Sequence, residues 1–527
     1  MIIIIVTGLS LKDVNIEKSS NLSFTRMPLN LITNFVSIFV VTVIGLWLTP
    51  YLIKNLGVAV YGILPLFLSL LKYFNLLSSA LTTAVARFMT LSIHKKEYKE
   101  ANKYFCSAIF GVIFLSIGLT SVTLVILPWL QNIVIIPKGY ITQAKGLLVL
   151  IVLSTILHML SAILNIGFFA NHRFDLQNII KIIADLGRLL CIGLGLAYIS
   201  KSLYVVGVGY VLLSLILVIG GYLYIKKLEP NLVFSKSAYS PTALRQMSKM
   251  GGWALLNSVG ILFYYNIDFV IINRVLGPTA GGMYAPIVQL TLLITLVTSS
   301  LNQMFAPIVI QSIAEGNNEK IKQQTYNAIR YLGFFIILPI IIICGFSKSI
   351  LTLWLGDEFT DLYKLIWLLM IPLIVINPVR PLFALLNGLN FVKYLGIVTL
   401  FGGVVNLALS FILVTYTDLG LYAVGLATII SLFIRNLLFL PFYSMNLIQG
   451  DVNKIFRQVT LLLVISLIFI FTLNRLELVI PPQNIVMLIV YSVCFSVGYL
   501  VMLYLFIINQ DEKNMVVRYI RKFKHSY

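Results

Sequence analysis

Charged residues are scarce in this sequence: Lys, Arg, Asp and Glu together supply 11% of 527 residues, against about a quarter in soluble domains. A chain that is 59% hydrophobic, with a mean hydropathy of +0.98, has too little polar surface to dissolve. Cysteine is scarce too. Cys106, Cys191, Cys344 and Cys494 stand far apart in apolar stretches with no CxxC spacing, which reads them as small core residues and leaves no metal site. No G-x-x-x-x-G-K-[ST] loop occurs, so the chain does not hydrolyse ATP through a phosphate loop. Acidic residues number 18 against 38 basic ones. The net charge of +20 still does not mark a nucleic-acid binder, because most basic residues sit in short loops between apolar runs. Membrane lipids with anionic headgroups are the partner this distribution implies.

What the sequence has in abundance is apolar length. Runs of roughly 20–30 residues recur throughout, long enough to cross a ~30 Å hydrocarbon layer as helix. Lipid offers the backbone no hydrogen-bond partner, and the runs lack the period-two alternation of barrel strands. The expected fold is therefore an all-α integral membrane protein of about 14 transmembrane helices. They are placed near 29–52, 58–86, 104–130, 143–170, 176–199, 203–225, 248–274, 281–311, 328–354, 362–386, 392–416, 419–446, 455–474 and 481–508. Residues 1–27 read as an N-terminal leader, with Met27 a natural start. A first lobe follows over 28–225, a cytoplasmic connection over 226–247, a second lobe over 248–447, two more helices over 448–508 and a basic tail over 509–527.

An even helix count puts both termini on one side. Loops on that side hold about 25 Lys and Arg, among them Lys95, Lys96, Lys99, Lys226, Lys227 and Lys236, against about eight on the other. By the positive-inside rule that side is the cytoplasm.

The chain also repeats itself. Leu56-Gly57 with Gly62 recurs 220 positions on as Leu276-Gly277 with Gly282, and Ser79, Leu81 and Ala86 meet Ser299, Leu301 and Ala306 at the same offset. Each copy runs into an amphipathic segment, His94–Lys103 and Ala314–Gln324. Leu203-Tyr204-Val205-Val206-Gly207 returns as Leu421-Tyr422-Ala423-Val424-Gly425, 218 positions on. Six helices separate the copies, so the repeats are parallel: two six-helix bundles around a central cavity, plus two extra helices.

Several segments resemble a known family. Leu52–Met89, with Tyr61-Gly62 and Arg87-Phe88, resembles the opening module of bacterial polysaccharide-repeat-unit (Wzx-like) flippases of the multidrug/oligosaccharidyl-lipid/polysaccharide superfamily. Phe168-Phe169-Ala170-Asn171-His172-Arg173-Phe174 with Asn178 and Arg188 is similar to that family's helix 4–5 segment. Asn266-Ile267-Asp268 with Leu276-Gly277 resembles the start of its second half. The resemblance implies turnover of an undecaprenyl-diphosphate-linked oligosaccharide by ion-coupled alternating access, with H+ or Na+ as coupling ion. It implies polysaccharide or O-antigen synthesis alongside polymerase machinery, and no cofactor. The first helix lacks the acidic residue of some drug-exporting relatives, which weakens a drug-exporter reading.

Ionisable residues inside a span are costly and mark functional hypotheses. Here they are Lys72, Lys181, Arg188, Arg380 and Arg435, with the acids Asp185 and Asp268. Five bases against two acids give a net positive interior, suited to a diphosphate, for which guanidinium forks are the best counter-charges. The five bases are the candidate substrate-binding residues; Asp268 and Asp185 are the candidate ion-coupling ones. Lys181, Asp185 and Arg188 lie four and three apart on one helix face, so they either line the cavity or neutralise each other. Asp268 either pairs with an arginine of another helix or carries a coupling ion. Arg87 and Arg274 read as interfacial, a placement that is also the alternative for Arg380. Pro278, Pro307, Pro339, Pro372, Pro378 and Pro381 supply bends in the second half.

No catalytic residues are expected. Against a membrane glycan polymerase or ligase, no outer loop exceeds roughly 15 residues, and the acidic corner Asp357-Glu358 with Asp361 reads as solvated. A drug or small-cation antiporter of the same superfamily remains the alternative transporter, and a scaffold for glycan export the non-transport one.

Overall fold

The computed structural model describes residues 21–502. The expected leader therefore falls largely, and the basic tail wholly, outside the described residues. The principal helices are α1 (Asn21–Leu56), α2 (Ile63–His94), α3 (Tyr98–Ile133), α4 (Ile141–Leu164), α5 (Phe174–Leu194), α6 (Leu203–Leu228), α7 (Pro241–Tyr265), α8 (Ile267–Leu276) and α9 (Pro278–Ala314). They continue with α10 (Asn318–Gly345), α11 (Tyr363–Met370), α12 (Leu373–Ile376), α13 (Pro381–Gly388), α14 (Val392–Tyr416), α15 (Leu421–Phe433), α16 (Leu440–Ile448), α17 (Val452–Val479) and α18 (Ile485–Met502). No strand occurs among the described residues.

Among the described residues, thirteen stretches are long and apolar enough to cross a membrane. The expected fourteenth is α5, a 21-residue helix of spanning length. It falls short on composition alone, because Lys181, Asp185 and Arg188 interrupt its apolar surface. Several expected spans are broken, and two of the breaks bear on the site. Asn266 ends α7 and starts α8 with φ −126 and ψ −24, outside the helical region. Between residues 362 and 388 the helix is divided into α11, α12 and α13. Pro372, Pro378 and Pro381 explain the second break: each lacks an N–H and removes an intrahelical bond, Pro378 the one that would reach the Ile374 carbonyl.

The chain divides into two compact units, Glu17–Pro286 with Gly396–Val424, and Ile287–Leu395 with Gly425–Tyr527. In the first, α2, α3, α4 and α7 enclose Met89, Cys106, Ala108, Met159, Ile163 and Met247. Lipid is as apolar as this core, so close approach matters more than burial. Small residues supply it: a Cβ on Gly260 would sit 2.6 Å from the Thr399 carbonyl oxygen, so α7 and α14 touch backbone to backbone. In the second unit α10, α13, α16 and α17 enclose Ile329, Leu382, Leu385, Leu440, Met445 and Ile455. Gly333 and Gly345 of α10 lie against Leu462 and Leu473 of α17. The end of α17 is fixed by Glu477, 4% exposed, whose Oε1 accepts from the Ser349 amide at 2.7 Å.

The repeat is visible in the backbone. Gly57 and Gly277, 220 positions apart, take φ 81 and φ 88, each between one helix and the next. Only a residue without Cβ enters that region freely. The two copies meet within the first unit: a Cβ on Gly62 would lie 2.3 Å from the Pro278 oxygen, and one on Gly282 2.1 Å from the Val58 oxygen. Gly207 lies against Leu150 and Gly425 against Leu368, and both pairs are 218 positions apart.

Of the cysteines, Cys106 and Cys344 are buried as expected and Cys191 is half-buried. Cys494 differs. It is exposed on α18, whose apolar surface has little protein around it.

Candidate functional site

The charged groups fall into three clusters. On α5, Arg188 donates to Asp185 Oδ1 at 2.9 Å, and the carboxylate is buried. Three-residue spacing on a helix makes this contact local. The Arg188 guanidinium also lies 5.1 Å above the Tyr210 ring of α6, a cation–π contact. Its Nε is buried with no hydrogen-bond partner among the described residues. Lys181, one turn earlier, is exposed and has no carboxylate within 4.0 Å among the described residues. Of the expected triad, then, two members neutralise each other and the third stands apart.

The second cluster, also in the first unit, surrounds Asp268. This residue is 3% exposed in the first turn of α8, where the positive end of the helix dipole favours an anion. Its Oδ2 accepts from the Tyr284 hydroxyl at 3.3 Å, and Tyr284 packs edge-on against Phe269 with centroids 5.7 Å apart. The partner is thus a neutral hydroxyl from the start of α9, 16 positions away, not a neighbour at helical spacing. Beside it, Asn266 is 4% exposed and its Oδ1 has no partner among the described residues. Lys72 of α2 is exposed, and the next residue, Tyr73, lies tilted against Phe263 of α7 at 6.1 Å.

The third cluster lies in the second unit, at the broken helix. Arg380 stands in the break before α13 and donates through Nη1 to Ser299 Oγ at 2.8 Å. Arg435 is 7% exposed in a wide-turn segment, Ile434–Phe439. Its Nε donates to Asn436 Oδ1 at 3.0 Å and its guanidinium lies 5.5 Å from the Phe383 ring. Phe383 is three residues after Arg380, so Arg435 packs against the turn of α13 that begins at Arg380. Asn377, in the same break, is fully buried, and neither side-chain polar atom has a partner among the described residues.

Sequence reasoning named the charges and missed their neutral partners. Tyr210, Tyr284 and Phe383 carry no signal beyond an aromatic residue in an apolar run. Asn266 and Asn377 were findable, as amides beside helix breaks. No group of three or more His, Cys, Asp or Glu positioned for a metal occurs among the described residues. Asp357, Glu358 and Asp361 are exposed, as expected.

Comparison with known proteins now decides the class. The family described as "Polysaccharide biosynthesis protein" matches residues 56–364, more than half of the chain. The chain belongs to that family. A relative from Bacillus subtilis (strain 168), named "Uncharacterized membrane protein EpsK", is 26% identical over 507 residues, covering 95% of this chain and 99% of its own. Among solved structures, an inward-facing multidrug-resistance MATE transporter of the MOP superfamily aligns with a TM-score of 0.60 at 16% identity, covering 85% of this chain and 98% of that one. The lipid II flippase MurJ, in an inward closed conformation, aligns with a TM-score of 0.58 at 16% identity, covering 89% and 98%. A MOP transporter from Pyrococcus furiosus, described by the reverse polarity of its binding pocket, aligns at 0.54 and 16%, covering 85% and 98%. This polysaccharide biosynthesis protein thus carries the multi-pass helical fold seen in the MATE transporter and in MurJ.

Proposed function

We propose that this protein is a flippase that turns an undecaprenyl-diphosphate-linked oligosaccharide from the cytoplasmic to the outer leaflet of the bacterial inner membrane, by ion-coupled alternating access. The observation that carries the reading is that two arginines meet a broken transmembrane helix: Arg380 stands in the break, and Arg435 packs on Phe383 three residues later. A diphosphate entering a low-dielectric layer needs such counter-charges. The likeness to a lipid II flippase and the family's link to polysaccharide synthesis support the same cargo class. Lys72, Lys181 and Arg188 are the candidate cargo-binding bases of the other unit, and the bias of Lys and Arg among loops supports cytoplasmic termini.

In this reading Asp268, a buried carboxylate whose Oδ2 accepts from the Tyr284 hydroxyl, carries the coupling ion. Asp185, already neutralised by Arg188, is the weaker candidate. The test is flipping of the lipid-linked oligosaccharide in proteoliposomes, with and without an imposed ion gradient. Arg435→Glu is expected to abolish flipping at normal protein level, and Asp268→Asn to remove only its gradient dependence. Normal flipping by Arg435→Glu and Arg380→Glu would reject the diphosphate clamp. Gradient-stimulated flipping that survives in Asp268→Asn would reject the coupling role. The antiporter alternative predicts efflux of a cationic dye that the lipid-linked saccharide does not inhibit.

A further inference from the structure

The segment joining the two sequence repeats is fastened along one face of α3. The Val233 amide donates to Asn102 Oδ1 at 3.0 Å, and the Ser235 amide to Cys106 Sγ at 3.4 Å. Ser107 Oγ accepts from the Ser240 amide at 3.0 Å and donates to the Ser240 carbonyl at 3.3 Å. Phe110 then stacks against Phe234, with centroids 6.0 Å apart, and against Tyr239 at 4.8 Å. Residues 102, 106 and 110 are one stripe of a 3.6-residue helix, and the stripe continues through 113, 117 and 120.

Where the strap ends, a groove begins. It has a volume of about 360 Å³ and opens to the surface between α3 and α4, lined by Ile109, Ile113, Ser116, Ile117, Ile156 and Leu160 among others. Ser116 spends its hydroxyl on the Val112 carbonyl at 2.7 Å, and with Thr120 and Ser121 it supplies the hydroxyls of an otherwise apolar wall. From Tyr104 to Ile133 α3 carries no charge, and the groove starts six residues past Lys103, about 9 Å deeper at 1.5 Å per residue. Above it the surface is basic and partly apolar: Lys95, Lys96, Lys99, Lys226, Lys227 and Lys236 are all exposed, with Val233 60% and Phe234 47% exposed beside them.

We propose that this face holds one anionic phospholipid of the basic-side leaflet, with an acyl chain in the α3–α4 groove and its phosphate among the lysines around the strap. Charge complementarity selects the headgroup, since lysines near a membrane surface each attract anionic lipid. The dry groove, at membrane depth and directly below, selects the chain. Phe234 and Val233 fill the boundary between them, so the bound lipid pins the strap to α3. The proposal goes beyond transport: lipid retention needs no flipping, so either reading can fail while the other stands.

The full chain, reconstituted in vesicles of equal phosphatidylglycerol and phosphatidylcholine and then released for native mass spectrometry, should retain one phosphatidylglycerol in preference to phosphatidylcholine. Ser116→Phe, which fills the groove, should lower that retention by about tenfold. Lys226→Gln with Lys227→Gln and Lys236→Gln should leave a lipid bound while losing the preference for phosphatidylglycerol. A photoactivatable phosphatidylglycerol should label the unaltered protein between Ile109 and Thr120, a reading that does not depend on any variant folding. Equal retention of the two lipids by the unaltered protein, labelling elsewhere on the chain, or undiminished retention in Ser116→Phe would each overturn the proposal. So would displacement of the phospholipid by an equal amount of a polyprenyl diphosphate, which would make the groove a seat for cargo.

Discussion

The two sequence repeats share a backbone and differ in charge. Four left-handed residues of the first repeat have counterparts in the second: Gly57 with Gly277, Lys96 with Gly316, Gly139 with Gly356, and His172 with Asn390. The offsets are 220, 220, 217 and 218, so the turns between helices were inherited as geometry. The charges were not. Positions 181, 185 and 188 of α5 hold Lys, Asp and Arg, whereas 399, 403 and 406 of α14 hold Thr, Gly and Asn. Asp268, Arg380 and Arg435 answer to Leu48, Ala162 and Leu217 in the first repeat. Duplication made the frame, and a frame with two equal halves can rock. In the proposed function the asymmetric charges are what select the cargo.

The largest effect is expected where the shared frame crosses itself. Gly282→Val would drive a side chain into the Val58 carbonyl, and Gly62→Val one into the Pro278 carbonyl. Backbone cannot yield as a side-chain end can, so each costs about 3 kcal/mol or more wherever this crossing is closed. Both variants should lose glycan export in a complementation assay. Gly498→Ala, with nothing within 4 Å, is the control and should export normally. Export by either crossing variant at the normal rate would show that the equivalence of the two turns has no mechanical meaning.

How much of this was legible in the sequence follows from what each feature depends on. Helix spans depend on apolar length, which composition displays directly, and only α5 departed, because its three charges dilute the signal. The Gly57 and Gly277 turns were visible because their φ demands glycine. The Lys96–Gly316 and His172–Asn390 turns were not, since non-glycine residues bear the same backbone and no identity survives to match. Asp268 was legible as a costly charge, but its Tyr284 partner comes from the next helix, and no periodicity links positions 16 apart. The break around Asn377 was half legible: Pro372, Pro378 and Pro381 announced bends without saying that a buried amide would stand among them.

A medium effect should separate the unequal halves at equivalent positions. Arg188→Gln leaves Asp185 buried without its counter-charge, and breaking a buried pair from one side costs about 3–5 kcal/mol. Asn406, the position equivalent to Arg188, donates to the Phe263 carbonyl at 3.0 Å, and Asn406→Ala should cost about 1 kcal/mol. Thermal unfolding in detergent should therefore fall several-fold further for Arg188→Gln. The double variant Asp185→Asn with Arg188→Gln should recover most of the loss, because no uncompensated charge remains. Equal shifts for Arg188→Gln and Asn406→Ala would mean that α5 is wet enough to hold a lone carboxylate, and Asp185 would then return as a coupling candidate.

The smallest effect sharpens the comparison at the basic-side turns. Glu97 and Asn317, 220 positions apart, cap the starts of α3 and α10. Each follows a left-handed residue, Lys96 at φ 62 and Gly316 at φ 66. The frame is the same, but the chemistry is shared out differently. Asn317 Oδ1 accepts from the Lys320 amide at 3.0 Å, satisfying one of the four orphan donors of a helix start. Glu97 makes no such side-chain bond. Its turn also places a lysine where the second copy has glycine, at a cost of about 1–2 kcal/mol for the left-handed conformation. Asn317→Ala should therefore destabilise its helix start by about 1 kcal/mol, read as faster hydrogen exchange at the Lys320 amide. Glu97→Ala should leave exchange at Glu100 unchanged, while Lys96→Gly should slow it by relieving the strain. Equal responses of the two caps would mean that the side-chain difference is idle, and that the inherited backbone alone sets the stability of both turns.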